Sequence, residues 1–403
     1  MIQDTMLVIL LYMLSALIIW QFVGYPLFMA CISRLFKTAV KDYSHQPFIS
    51  ILVATYNEEA VIRRRLENLL ELSYPGNQYE ILVIDSASTD ATRQIVKAVM
   101  KEHSKVSPLI TLVKEEKRNG KSSALNLGIT RAKGEVVLVA DANSLFDKNV
   151  LRELAPYFKN PRVGAVSGRY RVQNSGKGIP QQEDFYWRLE DIMFRAESDL
   201  DSASTVIGTI SAWRKKLLNF SSETITEDLD MTIKVRRMGY KIVYEPNAIA
   251  YENAATTVDD QILQRKRTGL GTLQATIRHI RYFIPPKDFY SAIIFPSHKI
   301  LVMLSPFLLI SIPILYIAIA DPLIILGHIV SIGFLFTILF GLLLTLRSQP
   351  IEGNTQKFSI RSLPRLIRYV ILNEYIILLA WKDLIAGNHS ILWEKADSTR
   401  VEV

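Results

Sequence analysis

The first strongly hydrophobic stretch of the chain lies near its N-terminal end. Between Asp4 and Arg34 no side chain is charged, and the stretch is longer than the roughly 20 apolar residues that a helix needs to cross a bilayer. No basic segment precedes it, and it is too long for the apolar segment of a cleavable signal peptide. The pattern therefore predicts that residues 1–41 form an N-terminal transmembrane anchor.

Hydrophobic residues dominate again near the C-terminal end. Apart from His328, residues 300–320 and 322–346 carry no acidic or basic side chain, and they predict two spans that form a hairpin. The segment 369–386 is also apolar. Its charged side chains are Glu374, Lys382 and Asp383. It fits either a third C-terminal span lined with functional polar groups or a helix in the membrane interface. Residues 286–403 are therefore assigned to a C-terminal membrane region.

The distribution of cations predicts the orientation of the chain. None precedes the first span, whereas several follow the first span and the hairpin. These are Arg34, Lys37, Lys41, Arg347, Lys357, Arg361, Arg365 and Arg368. Because cytoplasmic loops carry an excess of Lys and Arg, the middle of the chain is expected to be cytoplasmic, in a multi-pass protein of the plasma membrane.

The overall composition excludes several classes of function. The net charge of +8 follows from the cations beside the spans and suits anionic lipid. No aromatic-basic motif accompanies it, so a nucleic-acid partner is not expected. The single cysteine, Cys31, lies inside the first span, which excludes a disulfide within the chain and a cysteine metal site. Composition does not specify the oligomeric state.

Between residues 42 and 285 the pattern changes to short apolar runs that alternate with amphipathic segments. Apolar runs such as residues 48–57 and 79–88 predict buried strands, and the segments between such runs predict helices. This order predicts an α/β domain, with a mainly parallel sheet and helices on both faces. Two amphipathic segments, about 179–200 and 258–283, are expected to lie at the membrane interface.

Polar side chains stand where three of these strands end. They are Thr55, Asn57 and Glu58 after the first strand, Asp85 after the second, and Asp141 and Asn143 after the fourth. Ligands bind beyond the carboxyl ends of parallel strands in such sheets. The sequence therefore predicts a binding site at this edge.

Two common nucleotide-binding motifs are missing from this edge. No Gly-x-Gly-x-x-Gly turn follows the first strand, which excludes a hydride-transferring dinucleotide domain. Gly120-Lys121-Ser122 lacks the earlier glycine that a P-loop requires. A nucleotide bound here must therefore be held by other means.

Several other motifs follow one another along the same region. They are ATYNEE (54–59), DSASTD (85–90), KRNGKSSALNLGI (117–129), DAN (141–143), TED (226–228) and QRKRT (264–268). Together they resemble the motifs of the membrane-embedded family 2 glycosyltransferases of the GT-A fold, the branch that includes hyaluronan, cellulose and poly-N-acetylglucosamine synthases. The resemblance implies an inverting transfer of a sugar from a nucleotide-diphosphate sugar, expected to be UDP-linked, to a growing polysaccharide or glycolipid. It leaves coupling to export open.

The resemblance also implies which residues bind the donor. They are Thr55, Asn57, Glu58, Asp85, Lys121, Asp141, Gln264 and Arg267. Asp141 corresponds to the first residue of the family's Asp-x-Asp motif, which holds Mg²⁺ or Mn²⁺ at the leaving diphosphate. Asn143 replaces the second aspartate with an uncharged amide, so weaker metal binding is expected.

The TED motif fits two compatible interpretations. Thr226 is a good N-cap, and acids in the first turn suit the positive end of a helix dipole. The resemblance implies in addition that Asp228 is the general base for the acceptor hydroxyl and that Glu227 helps to hold the site.

A further stretch, VIGTISAWRKK (206–216), resembles the family's loop where the acceptor docks. It implies Gly208, Thr209 and Ser211 as acceptor-binding residues. Thr268, in contrast, stands where the synthases carry a tryptophan beside the growing polymer. A processive synthase and a single-addition transferase to a polyprenyl-phosphate or other lipid-linked acceptor therefore both stay open. The alternative from another class is a catalytically silent membrane scaffold.

Overall fold

The computed structural model describes most of the chain. It covers residues 2–32, 36, 40–104, 107–176, 178–346, 363–388, 390–392 and 395–400. Several cations that orient the chain in the sequence pattern lie outside the described residues. They are Arg34, Lys37, Arg347, Lys357 and Arg361.

Helices and strands alternate through the central region. The helices are α1 (Ile2–Ile19), α2 (Tyr25–Ile32), α3 (Ile62–Leu70), α4 (Thr92–Glu102), α5 (Lys121–Arg131), α6 (Val150–Leu154), α7 (Ile179–Leu200), α8 (Glu227–Arg237), α9 (Val258–Arg278), α10 (Ile280–Phe283), α11 (Leu301–Ile319), α12 (Pro322–Leu346) and α13 (Leu363–Ile385). The strands are β1 (Ile49–Thr55), β2 (Tyr79–Ser86), β3 (Ile110–Glu115), β4 (Val136–Asp141), β5 (Leu145–Phe146), β6 (Val163–Val172), β7 (Ile210–Arg214) and β8 (Lys241–Glu252). The α/β class predicted from the sequence is confirmed.

The strands form one sheet in the order β3-β2-β1-β4-β7-β6-β8-β5. Strands β1 to β4 pair in parallel, as the sequence pattern predicts. Beyond β4 the sheet becomes mixed, because β7 runs antiparallel to both β4 and β6, while β6 and β8 are parallel to each other. The parallel half carries the strand ends on which the predicted site depends.

The register of the parallel strands places their polar ends side by side. Thr55 at the end of β1 is the direct partner of Asp85 on β2, and Ala54 is the partner of Asp141 on β4. Since β1, β2 and β4 are mostly apolar and buried along most of their length, a shift of register would move apolar side chains off the core faces. Burial of the strands therefore fixes the positions of the polar residues at their ends.

Three helices in the described part of the chain are long and apolar enough to cross a membrane. They are Asp4–Ile32, Tyr290–Ile319 and Pro322–Leu339. These correspond to the spans predicted from the sequence. The second begins ten residues earlier than expected, because π-helical turns at Tyr290–Ile294 and Pro296–Ile300 continue into α11.

Helix α13 covers the segment for which the sequence left two alternatives. It is not among the candidate spans of the described chain, and it packs beside α9 and α11. The Lys266 ammonium lies 2.8 Å from Asp383, and Glu374 accepts a hydrogen bond from Ser305 over 2.7 Å. Asp383 and Glu374 of α13 therefore contact the neighbouring helices α9 and α11.

Helix α7 covers the first segment expected at the membrane interface. It packs against the first membrane helix and also against β6 and β8. Phe194 is buried in the core beside Tyr244, and Trp187 stacks on Tyr170 with ring centroids 4.5 Å apart. Phe194 and Trp187 thus point toward the interior of the protein, because they pack against side chains of the sheet.

Candidate active site

A cavity of about 570 Å³ opens at the carboxyl ends of β1 and β4. Its wall combines those strand ends with the starts of α5 and α8, one side of α9 and the C-terminal residues Asn388, Ser390, Leu392, Lys395, Ala396 and Arg400. Most of the residues predicted for the site line it. They are Thr55, Glu58, Lys121, Asp141, Asn143, Gly208, Thr209, Glu227, Asp228, Gln264 and Arg267.

Three predicted site residues are not among the described residues that line the cavity. Asp85 is fully buried and accepts hydrogen bonds from the Ser88 amide and from Arg93. Asn57 has a positive φ of 54°, and its Oδ1 accepts a bond from the Thr89 amide, so it shapes the loop after β1. Both residues thus have hydrogen-bond partners within the protein.

Ser211 is the third of these residues. It lies on β7 with 1% of its surface exposed, and its hydroxyl accepts a hydrogen bond from the Trp213 indole. Gly208 and Thr209, which precede the strand, do reach the cavity. The cavity geometry therefore favours these two over Ser211 as candidates for acceptor contact.

Lys121 connects the two acidic parts of the cavity. Its Nζ lies 2.7 Å from Asp141 Oδ1 and 2.8 Å from Glu227 Oε1. Burial disfavours the charged ammonium, but the two carboxylates outweigh this effect and raise the pKa of Lys121. The side chain is therefore a fixed cation between the end of β4 and the start of α8.

Asp228 stands in the first turn of α8 and faces the cavity. A helix N-terminus favours the ionised carboxylate. Here burial is the larger effect, and together with the neighbouring Glu227 carboxylate it raises the pKa of Asp228 to about 6. Gly208 makes room for the side chain, because a Cβ at this position would lie only 2.7 Å from Asp228 Oδ2.

The capping observed at the start of α8 differs from the prediction. Thr226 occupies the N-cap position, but its side chain makes no capping hydrogen bond. Its hydroxyl packs against Gly271 of α9, where a Cβ would lie 2.4 Å from Thr226 Oγ1. Asp230 is ion-paired with Arg278 at 3.2 Å. The TED motif is therefore held in place by α9.

Helix α9 brings the QRKRT motif to the same cavity. Burial lowers the pKa of Arg267, while the carboxylates of Glu227 and Asp141 act in the opposite direction. Thr268 also lines the cavity, and its hydroxyl donates to the backbone oxygen of Gln264 over 3.0 Å. Arg267 thus interacts electrostatically with Glu227 and Asp141.

The C-terminal segment supplies two site residues that sequence reasoning missed. Lys395 and Arg400 line the cavity and bind the Glu58 carboxylate at 3.1 and 3.2 Å. Arg400 and Glu58 are 342 residues apart, so no local pattern could have indicated the contact. The Glu58 carboxylate in the cavity wall is therefore paired with two cations.

Glu252, at the end of β8, is a further residue that the sequence did not indicate. It accepts a hydrogen bond from Asn143 Nδ2 over 2.8 Å. Burial, followed by the Asp141 carboxylate, raises the pKa of Glu252 to about 7. The edge at β4 and β8 thus presents two carboxylates and an amide.

This oxygen-rich edge determines whether a divalent cation fits. The described residues contain no group of three His, Cys, Asp or Glu side chains that could hold a metal by themselves. Mg²⁺, however, is commonly held by one or two carboxylates together with substrate phosphates. Asp141 and the amide of Asn143 fit such a shared site, in which a nucleotide diphosphate completes the ligand set.

Two family models match the chain. The model of glycosyl transferase family 2 matches residues 50–220, and the model of glycosyl transferase family group 2 matches residues 136–346.

Curated relatives carry related names. The chain is 32% identical over 242 residues to a beta-monoglucosyldiacylglycerol synthase of Nostoc sp., covering 59% of this chain and 51% of that protein. It is 29% identical over 256 residues to a poly-beta-1,6-N-acetyl-D-glucosamine synthase of Staphylococcus epidermidis, covering 61% and 57%. The chain thus spans about half the length of these curated relatives.

One solved structure covers nearly the whole chain. It is the mannosyltransferase PcManGT from Pyrobaculum calidifontis in complex with GDP-Man and Mn²⁺, with a TM-score of 0.71 and 23% sequence identity over 94% of this chain and 100% of that chain. This likeness shows the GT-A fold. Because the second family model spans more than half of the 403 residues, the chain belongs to the family 2 glycosyltransferases.

Proposed function

We propose that the chain is an inverting transferase that moves a sugar from a nucleotide-diphosphate sugar, with UDP as the expected nucleotide, to a growing polysaccharide or glycolipid at the membrane. One observation carries the proposal: Asp228 lines the same cavity as Asp141. Lys121 forms ion pairs with both Asp141 and Glu227, the residue next to Asp228. A base and a diphosphate-binding acid are thereby combined in one site.

Asp228 takes the role of general base. Its carboxylate accepts the proton of the acceptor hydroxyl while that oxygen attacks the anomeric carbon. The bond from the anomeric carbon to the phosphate oxygen breaks, and its electron pair leaves with the nucleoside diphosphate. A base with a pKa of about 6 is ionised at neutral pH, yet it is more basic than an ordinary aspartate.

Asp141 and Asn143 would hold Mg²⁺ or Mn²⁺, which supplies charge neutralisation at the leaving diphosphate. The complex of the Pyrobaculum mannosyltransferase with GDP-Man and Mn²⁺ supports this expectation. Arg267 adds a fixed positive charge on the same side of the cavity. The other predicted donor-binding residues that line the cavity are Thr55, Glu58, Lys121 and Gln264.

We expect the acceptor to approach the cavity from the membrane. The cavity wall extends to Lys299, which lies immediately before α11 in the second candidate span. An acceptor held in or on the bilayer would reach Asp228 from that side. We propose a multi-pass arrangement in the plasma membrane with the catalytic domain cytoplasmic.

A single addition to a polyprenyl-phosphate or other lipid-linked acceptor is the second candidate. The observation that favours it is Thr268, whose hydroxyl is bonded within its own helix and which offers no aromatic surface to a sugar chain. The glycolipid name of the Nostoc relative points the same way. Both candidates use the same base and donor site.

The test is an assay of the full chain in lipid vesicles with a panel of UDP- and GDP-sugars and Mg²⁺ or Mn²⁺, scoring nucleotide release and product length. Release that disappears in Asp228→Asn supports the proposed function. A polymer identifies a synthase, and one sugar on extracted lipid identifies the single-addition transferase. Release that persists in Asp228→Asn contradicts the role of the base, and no release from any donor favours a silent scaffold.

A further inference from the structure

Asn143 and Glu252 form a buried pair in the wall of the cavity. Asn143 follows β4, Glu252 ends β8, and the amide Nδ2 donates to Glu252 Oε1 over 2.8 Å. Glu252 is 9% exposed, and its other oxygen, Oε2, has no hydrogen-bond partner among the described residues. Because a buried carboxylate oxygen without a partner is costly, this atom indicates a group that is bound in the functional state.

The cations around Glu252 do not satisfy this oxygen. Arg65, Arg400 and Lys121 interact electrostatically with Glu252. Arg400 is bonded to Glu58, and Lys121 is bonded to Asp141. Arg65 donates to Asn68 through Nη1, and its Nε and Nη2 have no hydrogen-bond partner among the described residues. None of the three donates to Oε2 in the part of the chain that the structure describes.

The charge of the motif at β4 explains what is missing. Asp141 is paired with the Lys121 ammonium, and Asn143 is neutral, so the two motif positions provide little net negative charge to a dication. Divalent hard cations prefer carboxylate oxygens. The carboxylate that stands beside Asn143 and lines the same cavity as Asp141 is Glu252.

We propose that Glu252 Oε2 is a ligand of the divalent cation and supplies the negative charge that Asn143 lacks. The proposal rests on the metal-assisted donor binding proposed above. The hydrogen bond from Asn143 to Oε1 holds the carboxylate in place, as outer partners commonly do at metal sites. The cation would then be held by Asp141, Glu252, the amide oxygen of Asn143 and the donor diphosphate.

The experiment measures Mn²⁺ binding by the full chain in detergent micelles with saturating UDP, as the loss of the electron paramagnetic resonance signal of free Mn²⁺ relative to the same UDP solution without protein. The measurement is made at about pH 8, above the pKa of about 7 to which burial raises Glu252. Glu252→Gln keeps an acceptor for Asn143 but removes the charge. We expect it to weaken Mn²⁺ binding about 10- to 100-fold or more, at least as much as loss of an outer partner does.

A reciprocal exchange separates charge from structure. The double variant Asn143→Asp with Glu252→Gln keeps both an amide and a carboxylate in the pair but swaps their positions. We expect it to recover most of the lost Mn²⁺ affinity. The matched control is Glu245→Gln, because Glu245 is a buried carboxylate on the same strand that binds Tyr157 outside the cavity. It should leave Mn²⁺ binding unchanged.

Asp141→Asn distinguishes failure of this inference from failure of the proposed function. If Asp141→Asn weakens Mn²⁺ binding and Glu252→Gln does not, Glu252 only positions Asn143 and the inference is wrong. If the wild type binds no Mn²⁺ with UDP, the metal-assisted function itself is wrong. Far-ultraviolet circular dichroism of each variant confirms that the comparison is made between folded proteins.

Discussion

Lys121 Nζ lies 2.8 Å from Glu227 Oε1, and this contact joins two motifs that are more than 100 residues apart in the sequence. The same nitrogen is 2.7 Å from Asp141 Oδ1. Glu227 and Asp141 both raise the pKa of the half-buried Asp228, and Lys121 lowers it. The lysine therefore adjusts the candidate base while it holds the end of β4 beside the start of α8.

Lys121→Gln is expected to shift the acidic limb of the kcat/KM profile to higher pH. Without the ammonium, Asp228 faces two uncompensated carboxylates, and its pKa should rise by about one unit or more. The measurement is kcat/KM against pH with one active donor. Lys133→Gln, which changes an exposed lysine, should leave the limb in place. An unmoved limb in Lys121→Gln would show that Lys121 does not act on the base.

Activity of the wild type is expected to fall as the pH drops through about 6, because the base must be ionised to accept a proton. Asp228→Asn should lower kcat by about 10²- to 10⁴-fold. Any residual activity should no longer depend on pH in this range. A limb near 6 that survives in Asp228→Asn would assign the titration to another group.

The same substitution is expected to stabilise the fold. The pKa of Asp228 is about 6 when folded and 3.8 ordinarily, so ionisation opposes folding, and stability falls as the pH rises from about 4 to about 6. Asp228→Asn avoids this cost, which is on the order of 1–3 kcal/mol above pH 6.

Thermal unfolding of the detergent-solubilised protein checks this expectation. The melting temperature of Asp228→Asn should exceed that of the wild type at neutral pH, and the difference should vanish below about pH 4. Glu223→Gln changes an exposed carboxylate before α8, and it should leave the melting temperature unchanged both at neutral pH and below about pH 4. A less stable Asp228→Asn would mean that the carboxylate supports the fold.

Gly208→Ala is expected to lower kcat while the protein still folds. The new Cβ would lie 2.7 Å from Asp228 Oδ2, so the carboxylate must move away from its position on the cavity wall. Steady-state kinetics with a fixed donor measure the loss. Gly176→Ala is the matched control, because its Cβ would meet nothing closer than 3.8 Å. Equal kcat in both variants would show that the position of Asp228 is not critical.

Arg400→Ala is expected to raise the KM for the donor more than it changes kcat. The substitution leaves Glu58 with less compensation, and its negative charge on the cavity wall would repel the donor diphosphate. Adding Glu58→Gln to Arg400→Ala removes that charge and should reduce the effect. Additive losses in the double variant would indicate that the two residues act independently.

Much of the architecture was predictable because its signal is local. The apolar runs that became β1 to β4 are visible without any knowledge of their partners, and so are the three long apolar stretches. The mixed half of the sheet was not predicted. The antiparallel pairing of β7 with β4 and β6 joins segments that are far apart in the chain, and hydrophobic periodicity does not encode the direction of a partner strand.

The sequence by itself determined the α/β class, the apolar spans and the acids at the ends of the strands, because alternation and run length depend only on neighbouring residues. Only the tertiary structure decided which of those polar residues share a cavity. Ser211 and Asp85 are buried and are not among the described residues that line the cavity. Arg400 and Glu252 come from distant segments of the chain and do line it. The physical reason is that burial, ion pairing and shared cavities arise between side chains whose separation in space is set by packing.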